Sequence, residues 1–151
     1  MLGNLRKYAS ALVLAASVIG TPTLCQAIEI EPGEWQSNET SSVDGKASQP
    51  EQSTDCVTLE DARDPVKALT SMQNDTGGKC QVFDVAQHDN MVSFVMKCDD
   101  PGSASIDMQA TFTFENSRHY TGSITSVMRM GPQKMVSNMA VDAKWIGTCK
   151  K

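Results

Sequence analysis

What most constrains this chain is where its five cysteines fall relative to an apolar amino-terminal segment. Arg6 and Lys7 precede an apolar run from Ala9 to Ile19, Gly20 and Pro22 break that run, and the small residue Ala27 follows Cys25-Gln26. This is the layout of a secretory signal peptide, with cleavage expected after Ala27 and residues 28–151 left as one domain. Cys25 departs with the leader. The position ahead of a lipidated cysteine is normally small and Leu24 is a poor fit, so a lipoprotein anchored through Cys25 is not expected. Cys56, Cys80, Cys98 and Cys149 remain, an even set in a periplasmic or extracellular compartment where disulfides persist. The apolar run covers about 11 residues against the roughly 20 of a membrane-spanning helix, and no later stretch replaces it, so no membrane span is expected.

Thirteen basic residues stand against eighteen acidic ones, and loss of Arg6 and Lys7, the leader's only charges, takes the net charge from -5 to -7. Nucleic acids and anionic membrane surfaces select clustered Lys and Arg, which this chain lacks. The acidity serves solubility and would also suit a basic protein partner. A domain of this length carries one hydrophobic core, and a monomer is expected.

Residues 28–39, with Gly33-Glu34-Trp35, read as a first strand. Residues 41–55 are polar, with Asp44-Gly45 as a turn and Pro50 as a breaker, so they form a loop or a weak edge strand. After Cys56, Thr58 caps a helix with Asp61 three residues on, and Leu59, Ala62, Val66, Leu69 and Met72 recur on one helical face. Asp64-Pro65 interrupts that pattern; Asp64 caps a second turn with Pro65 at its first position, so two abutting helical pieces are expected.

From Cys80 the period changes to two. Folding the chain about Asp89 pairs Ala86 with Val92, Asp84 with Phe94, Val82 with Met96 and Cys80 with Cys98. Directly opposed residues on antiparallel strands lie close enough for a small adjustment to form a disulfide, which assigns Cys80 to Cys98 and, by elimination, Cys56 to Cys149. Val82, Phe94 and Met96 fall on one face of this hairpin and Phe83, Val85 and Val95 on the other, so a second covering layer, the helix, is expected over it. Asp99-Asp100-Pro101-Gly102 reads as a turn. Ile106 to Phe114 then alternate with polar residues, folding about Ser117 sets Phe114 against Tyr120 and Ala110 against Ile124, and Gly131-Pro132 reverses the chain into a last strand with Met135, Met139, Val141 and Trp145 facing inward. The fold class is mainly β with an α+β character: a curved antiparallel meander or small barrel of about six or seven strands, a short helical insertion and two disulfides.

Gly33-x-Trp35, the stretch Cys56-Val57-Thr58-Leu59-Glu60-Asp61-Ala62-Arg63-Asp64-Pro65, the Cys80 and Cys98 hairpin, Tyr120-Thr121-Gly122 with Met128 and Met130, and Gly147-Thr148-Cys149 together resemble a bacterial exported family known as domain of unknown function 3617. The resemblance covers Gly33 to Cys149 and implies export, paired cysteines and β architecture, with no established activity. Gly33-Glu34-Trp35 also resembles the opening tripeptide of lipocalin-type barrels, although the Arg that covers the Trp there has no clear counterpart.

Enzymatic chemistry finds no support in these residues. His88 and His119 both fall near turns, away from any nucleophile elbow, zinc-binding helix or phosphate loop, and pairing of the cysteines leaves no thiolate. No cofactor is expected. Eight methionines follow the leader, and Met128-x-Met130 opposite Met135 and Met139 makes thioether Cu(I) binding a minor alternative. Methionine also fills irregular cores, and these four share a face with Ile124, Val141 and Trp145, so no metal site is assigned. The leading expectation is a binding module whose apolar interior, lined by Met108, Phe112, Met128, Met139 and Trp145, holds a small hydrophobic or lipid-like molecule. The alternative is an envelope interaction or inhibitor protein that docks a basic envelope protein through Glu29, Glu31 and Glu34.

Overall fold

The computed structural model describes residues 27–71, 80–100 and 104–150. The expected leader up to Gln26, Met72 and the Pro101-Gly102 turn lie outside the described residues. In chain order the elements are β1 (Gly33–Val43), β2 (Lys46–Ala47), β3 (Glu51–Val57), α1 (Leu59–Arg63), α2 (Pro65–Thr70), β4 (Cys80–His88), β5 (Met91–Asp100), β6 (Ala104–Asn116), β7 (His119–Met130) and β8 (Gln133–Gly147). All strand pairs are antiparallel, in the order β2-β1-β8-β7-β6-β5-β4, with β3 also paired to β1. The eight strands exceed the expected six or seven because the polar stretch after β1 contributes β2 and β3. Among the described residues β3 and β4 do not pair, so the sheet is open.

Alternation decides the central strands. Phe114 lies opposite Tyr120 and Ala110 opposite Ile124, as the sequence pattern requires, and Gly131-Pro132 forms the two-residue turn between Met130 and Gln133. At the β6–β7 turn, Asn116 Oδ1 accepts a 2.8 Å bond from the Arg118 N–H, a side chain replacing a ladder partner where pairing ends. Val92, Phe94, Ala110, Phe112 and Phe114 form the buried cluster, with Ile28, Ile30, Val66, Leu69 and Tyr120 packed against it. The amino-terminal segment and α2 therefore cover one end of the concave face. Fully burying each large side chain contributes about 1.5–3 kcal/mol, so this aromatic row is the principal source of cohesion.

Part of the β4–β5 register departs from expectation. Cys80 opposes Cys98 and Val82 opposes Met96, but a bulge between Phe83 and Ala86 places Ala86 opposite Ser93 and Gln87 opposite Val92. Asp84 takes a left-handed conformation with φ 50°, which inserts the extra residue; the pairs Asp84–Phe94 and Ala86–Val92 consequently do not form. The outer face of this hairpin also lacks the expected helical cover, since Phe83 is 41% and Val85 49% exposed. The helices instead roof the concave side. Both caps form as expected: Thr58 Oγ1 accepts from the Asp61 N–H at 3.2 Å and Asp64 Oδ1 from the Lys67 N–H at 2.9 Å. Ala62 and Pro65 are buried, whereas Leu59, expected on the same face, is 56% exposed because the capped first turn aims it outward. No helix among the described residues is long and apolar enough to cross a membrane.

The convex face is held by polar cross-strand contacts. Arg129 bonds Asp107, and that bond with the attendant positive charge holds the Asp107 carboxyl below its ordinary value of 3.8. For Asp142, partial burial favours the neutral acid, but His119 at 3.3 Å and Lys144 at 3.4 Å together outweigh it and also lower the pKa. A carboxyl with a lower pKa folded than unfolded stabilises the fold fully above the unfolded value and loses that contribution as pH falls through the folded one. Thermal midpoints measured from pH 5 downward should therefore fall most steeply below about pH 4, and D107N/D142N should flatten that fall. An unchanged slope in the double variant would exclude these two carboxylates as its source.

Candidate functional site

A hollow follows from how α1, α2 and the amino-terminal segment roof the sheet. Ile30 N–H donates to the Ala62 carbonyl at 3.0 Å and Glu31 N–H to that of Ser117 at 2.7 Å, so this segment is pinned between α1 and the β6–β7 turn. Below it lies a cavity of about 570 Å³, within the range of small-molecule sites. The roof supplies Ile30, Asp61, Pro65, Ala68, Leu69 and Ser71; one wall is Asp55-Cys56-Val57 of β3, and the floor is Phe114 and Tyr120. β3 and β6 are four strands apart in the order β3-β1-β8-β7-β6, so their sharing one cavity requires the sheet to curl.

Tyr120 is the hub of the floor. Its ring centroid lies 5.4 Å from that of Trp35, 5.6 Å from Phe114 and 6.2 Å from Phe112. Burial raises the Tyr120 phenol above its ordinary value of 10.0, overcoming the opposing hydrogen bond with Ser37, and the charges of Asp55 and Glu39 act in the same direction as burial. The phenol is thus neutral at physiological pH. Asp55 Oδ2 lies 3.5 Å from the Ser53 hydroxyl, and Asp61 Oδ2 accepts from the Thr58 hydroxyl at 2.6 Å. Among the described residues the lining holds no Lys, Arg or His, and no group of three or more His, Cys, Asp or Glu is placed to hold a metal. The arrangement offers apolar contact, one phenol and two carboxylates.

None of the five residues expected to line an interior borders this cavity. Phe112 is buried in the core with its ring against Gly122, where a Cβ would come within 2.7 Å of it. Met108 packs against that core, and Met128 lies opposite Met135. Met139 faces Ile124, and both line a shallow depression of about 380 Å³, half of whose lining residues are Ser or Thr. Trp145 donates its indole N–H to the Pro32 carbonyl at 3.2 Å beneath the Arg118 guanidinium, 4.6 Å from its ring centre. That Arg stacks on Trp145 and not on Trp35. Of the four methionines considered for Cu(I), Met128 and Met135 are directly opposed and Met130 lies two positions beyond Met128, whereas Met139, opposite Ile124, lies four residues from Met135 along β8. In the acidic edge proposed for a basic partner, Glu31 lies 3.6 Å from Arg118 and Glu34 3.5 Å from Lys150, both within the chain. Sequence reasoning missed Ile30, Val57, Leu69 and Tyr120 as lining residues; the helical apolar face was the available signal, since it needed a surface to cover.

The cystines complete the frame. Cys80 is joined to Cys98 across directly opposed positions, and Cys56 to Cys149 with Cα atoms 5.6 Å apart. The latter crosses β1 at Glu34, which pairs with Cys56 on one side and Gly147 on the other. Gly33 precedes this crossing at φ 141°, and a Cβ there would lie 2.2 Å from the Gly147 carbonyl oxygen and 2.6 Å from Trp145 Nε1. The molecule is thus a disulfide-stapled, open antiparallel β module whose hollow is roofed by two short helices. Residues 30–149 match the family described as Protein of unknown function (DUF3617), and the chain belongs to that family. A search of curated proteins finds no match for the chain.

Proposed function

We propose that this protein is an exported, non-catalytic binding module that holds a small hydrophobic or lipid-like molecule between the helices and the curled sheet. The observation that carries this reading is the cavity of about 570 Å³, with Ile30, Val57, Leu69 and Phe114 as apolar walls and the Tyr120 phenol as a polar handle. Export is supported by the leader-like first 27 residues and by the two cystines, which persist in oxidising compartments. Docking of a basic protein through Glu29, Glu31 and Glu34 has less support, because Glu31 and Glu34 already have basic partners in the chain.

Trp35 provides a reporter, being buried beside Tyr120 on the cavity floor. Non-reducing native mass spectrometry of the protein recovered from its own compartment should show an adduct of lipid-like mass. Ala68→Phe, which fills the cavity from α2, should weaken its rebinding about tenfold or more while thermal stability stays close to wild type. An adduct retained equally by Ala68→Phe would place the ligand elsewhere. Protein free of any adduct that also takes up no hydrophobic probe would make the hollow a packing defect.

A further inference from the structure

We propose that the roofed cavity selects a hydrophobic cation, an amphiphile whose apolar chain enters the hollow and whose protonated amine sits between Asp55 and Asp61. The inference rests on reading the cavity as a ligand site and adds the sign of charge at its mouth. Asp55 projects from the β3 wall and Asp61 from the α1 roof, so the two carboxylates approach the hollow from different elements. Each has a hydroxyl neighbour, Ser53 and Thr58 respectively, and neither forms an ion pair among the described residues. Of the basic side chains near the roof and turn, Lys67 pairs with Glu60 at 3.3 Å, Arg118 lies against Glu31 and the Trp145 ring, and Arg63 borders a separate hollow with Glu29 and Ala62. Glu39 and Asp55 both act electrostatically on Tyr120, so the field over the floor is negative as well. The aromatic face of Tyr120 adds a surface that attracts cations and repels anions. An anionic lipid or fatty acid would instead bring its carboxylate against two others, with no cation in the described lining to receive it.

The test uses the oxidised mature protein and three probes with one chain and different heads, decylamine, decanol and decanoate, kept below their micelle concentrations. Tryptophan fluorescence gives the affinities. Because both carboxylates are solvent-accessible, each contributes modestly, and decylamine should bind about tenfold more tightly than decanol, with decanoate weakest. D55N/D61N should bring decylamine and decanol affinities to within about twofold of one another. In wild-type protein, raising salt from about 0.02 to 0.5 M should weaken decylamine and not decanol, a readout independent of any variant's folding. Decanol binding as tightly as decylamine, or a preference that survives both salt and D55N/D61N, would overturn the charge selection and leave the cavity as a neutral hydrophobic site. Failure of all three probes to bind would overturn the cavity reading itself, and this inference with it.

Discussion

Replacing Cys56 and Cys149 together by serine should lower the unfolding free energy by about 4 kcal/mol, more than replacing Cys80 and Cys98. The cystine closes a loop with a sequence separation of 93, against 18 for Cys80–Cys98. In the chain-entropy account the longer loop removes more freedom from the unfolded chain, about 4.6 against about 3 kcal/mol. The bond also fastens β3 and the carboxy terminus over β1: six of the seven β3 residues are exposed, and its backbone pairing is the ladder to β1. Cys80–Cys98 instead joins two strands that a two-residue turn already holds in register. Urea unfolding of C56S/C149S and C80S/C98S, followed by tryptophan fluorescence, checks the order of the two effects. A larger loss for C80S/C98S would show that native-state packing at the hairpin outweighs loop closure.

Trp35→Ala should cost about 3–5 kcal/mol, the range for removing a fully buried large aromatic. Trp35 is 2% exposed, touches Tyr120 and donates its indole N–H to the Glu31 carbonyl at 2.9 Å. The substitution opens a void beside the cavity floor and leaves the Glu31 carbonyl without that donor. Trp35→Phe keeps most of the apolar contact and loses the hydrogen bond, so about 1–2 kcal/mol is expected. Chemical denaturation of the two variants separates packing from hydrogen bonding; equal losses would mean that the indole N–H, and not the ring, carries the residue's contribution. For a domain of marginal stability the alanine variant should be substantially unfolded when the Cys56–Cys149 bridge is also absent.

Much of this fold was legible in local pattern. The period-two alternation of β6 and β7 set their register, Thr58 and Asp64 announced two helical starts, and opposition of Cys80 and Cys98 gave the short disulfide. Each of these signals is carried within a few residues or across one turn. The bulge at Asp84 was not legible, since left-handed backbone at a single Asp leaves the apolar alternation around it intact. The strand character of residues 51–57 was only partly visible, because Gln52, Ser53, Thr54 and Asp55 are exposed and have no buried face to create a pattern.

The site was the least visible part. Met108, Met128 and Met139 alternate as an inward row, yet periodicity reports only which face a residue occupies, not whether another layer fills the space above it. Which end of that face α1 and α2 would roof depended on the Cys56–Cys149 bond, the Ile30–Ala62 and Glu31–Ser117 backbone bonds, and the curl of the sheet. These are contacts between residues far apart in the chain. Strand order, capping and cysteine pairing follow from short-range sterics and alternation, whereas the cavity and its two carboxylates arise where β3, the helices and β6–β7 converge, a geometry that no single segment encodes.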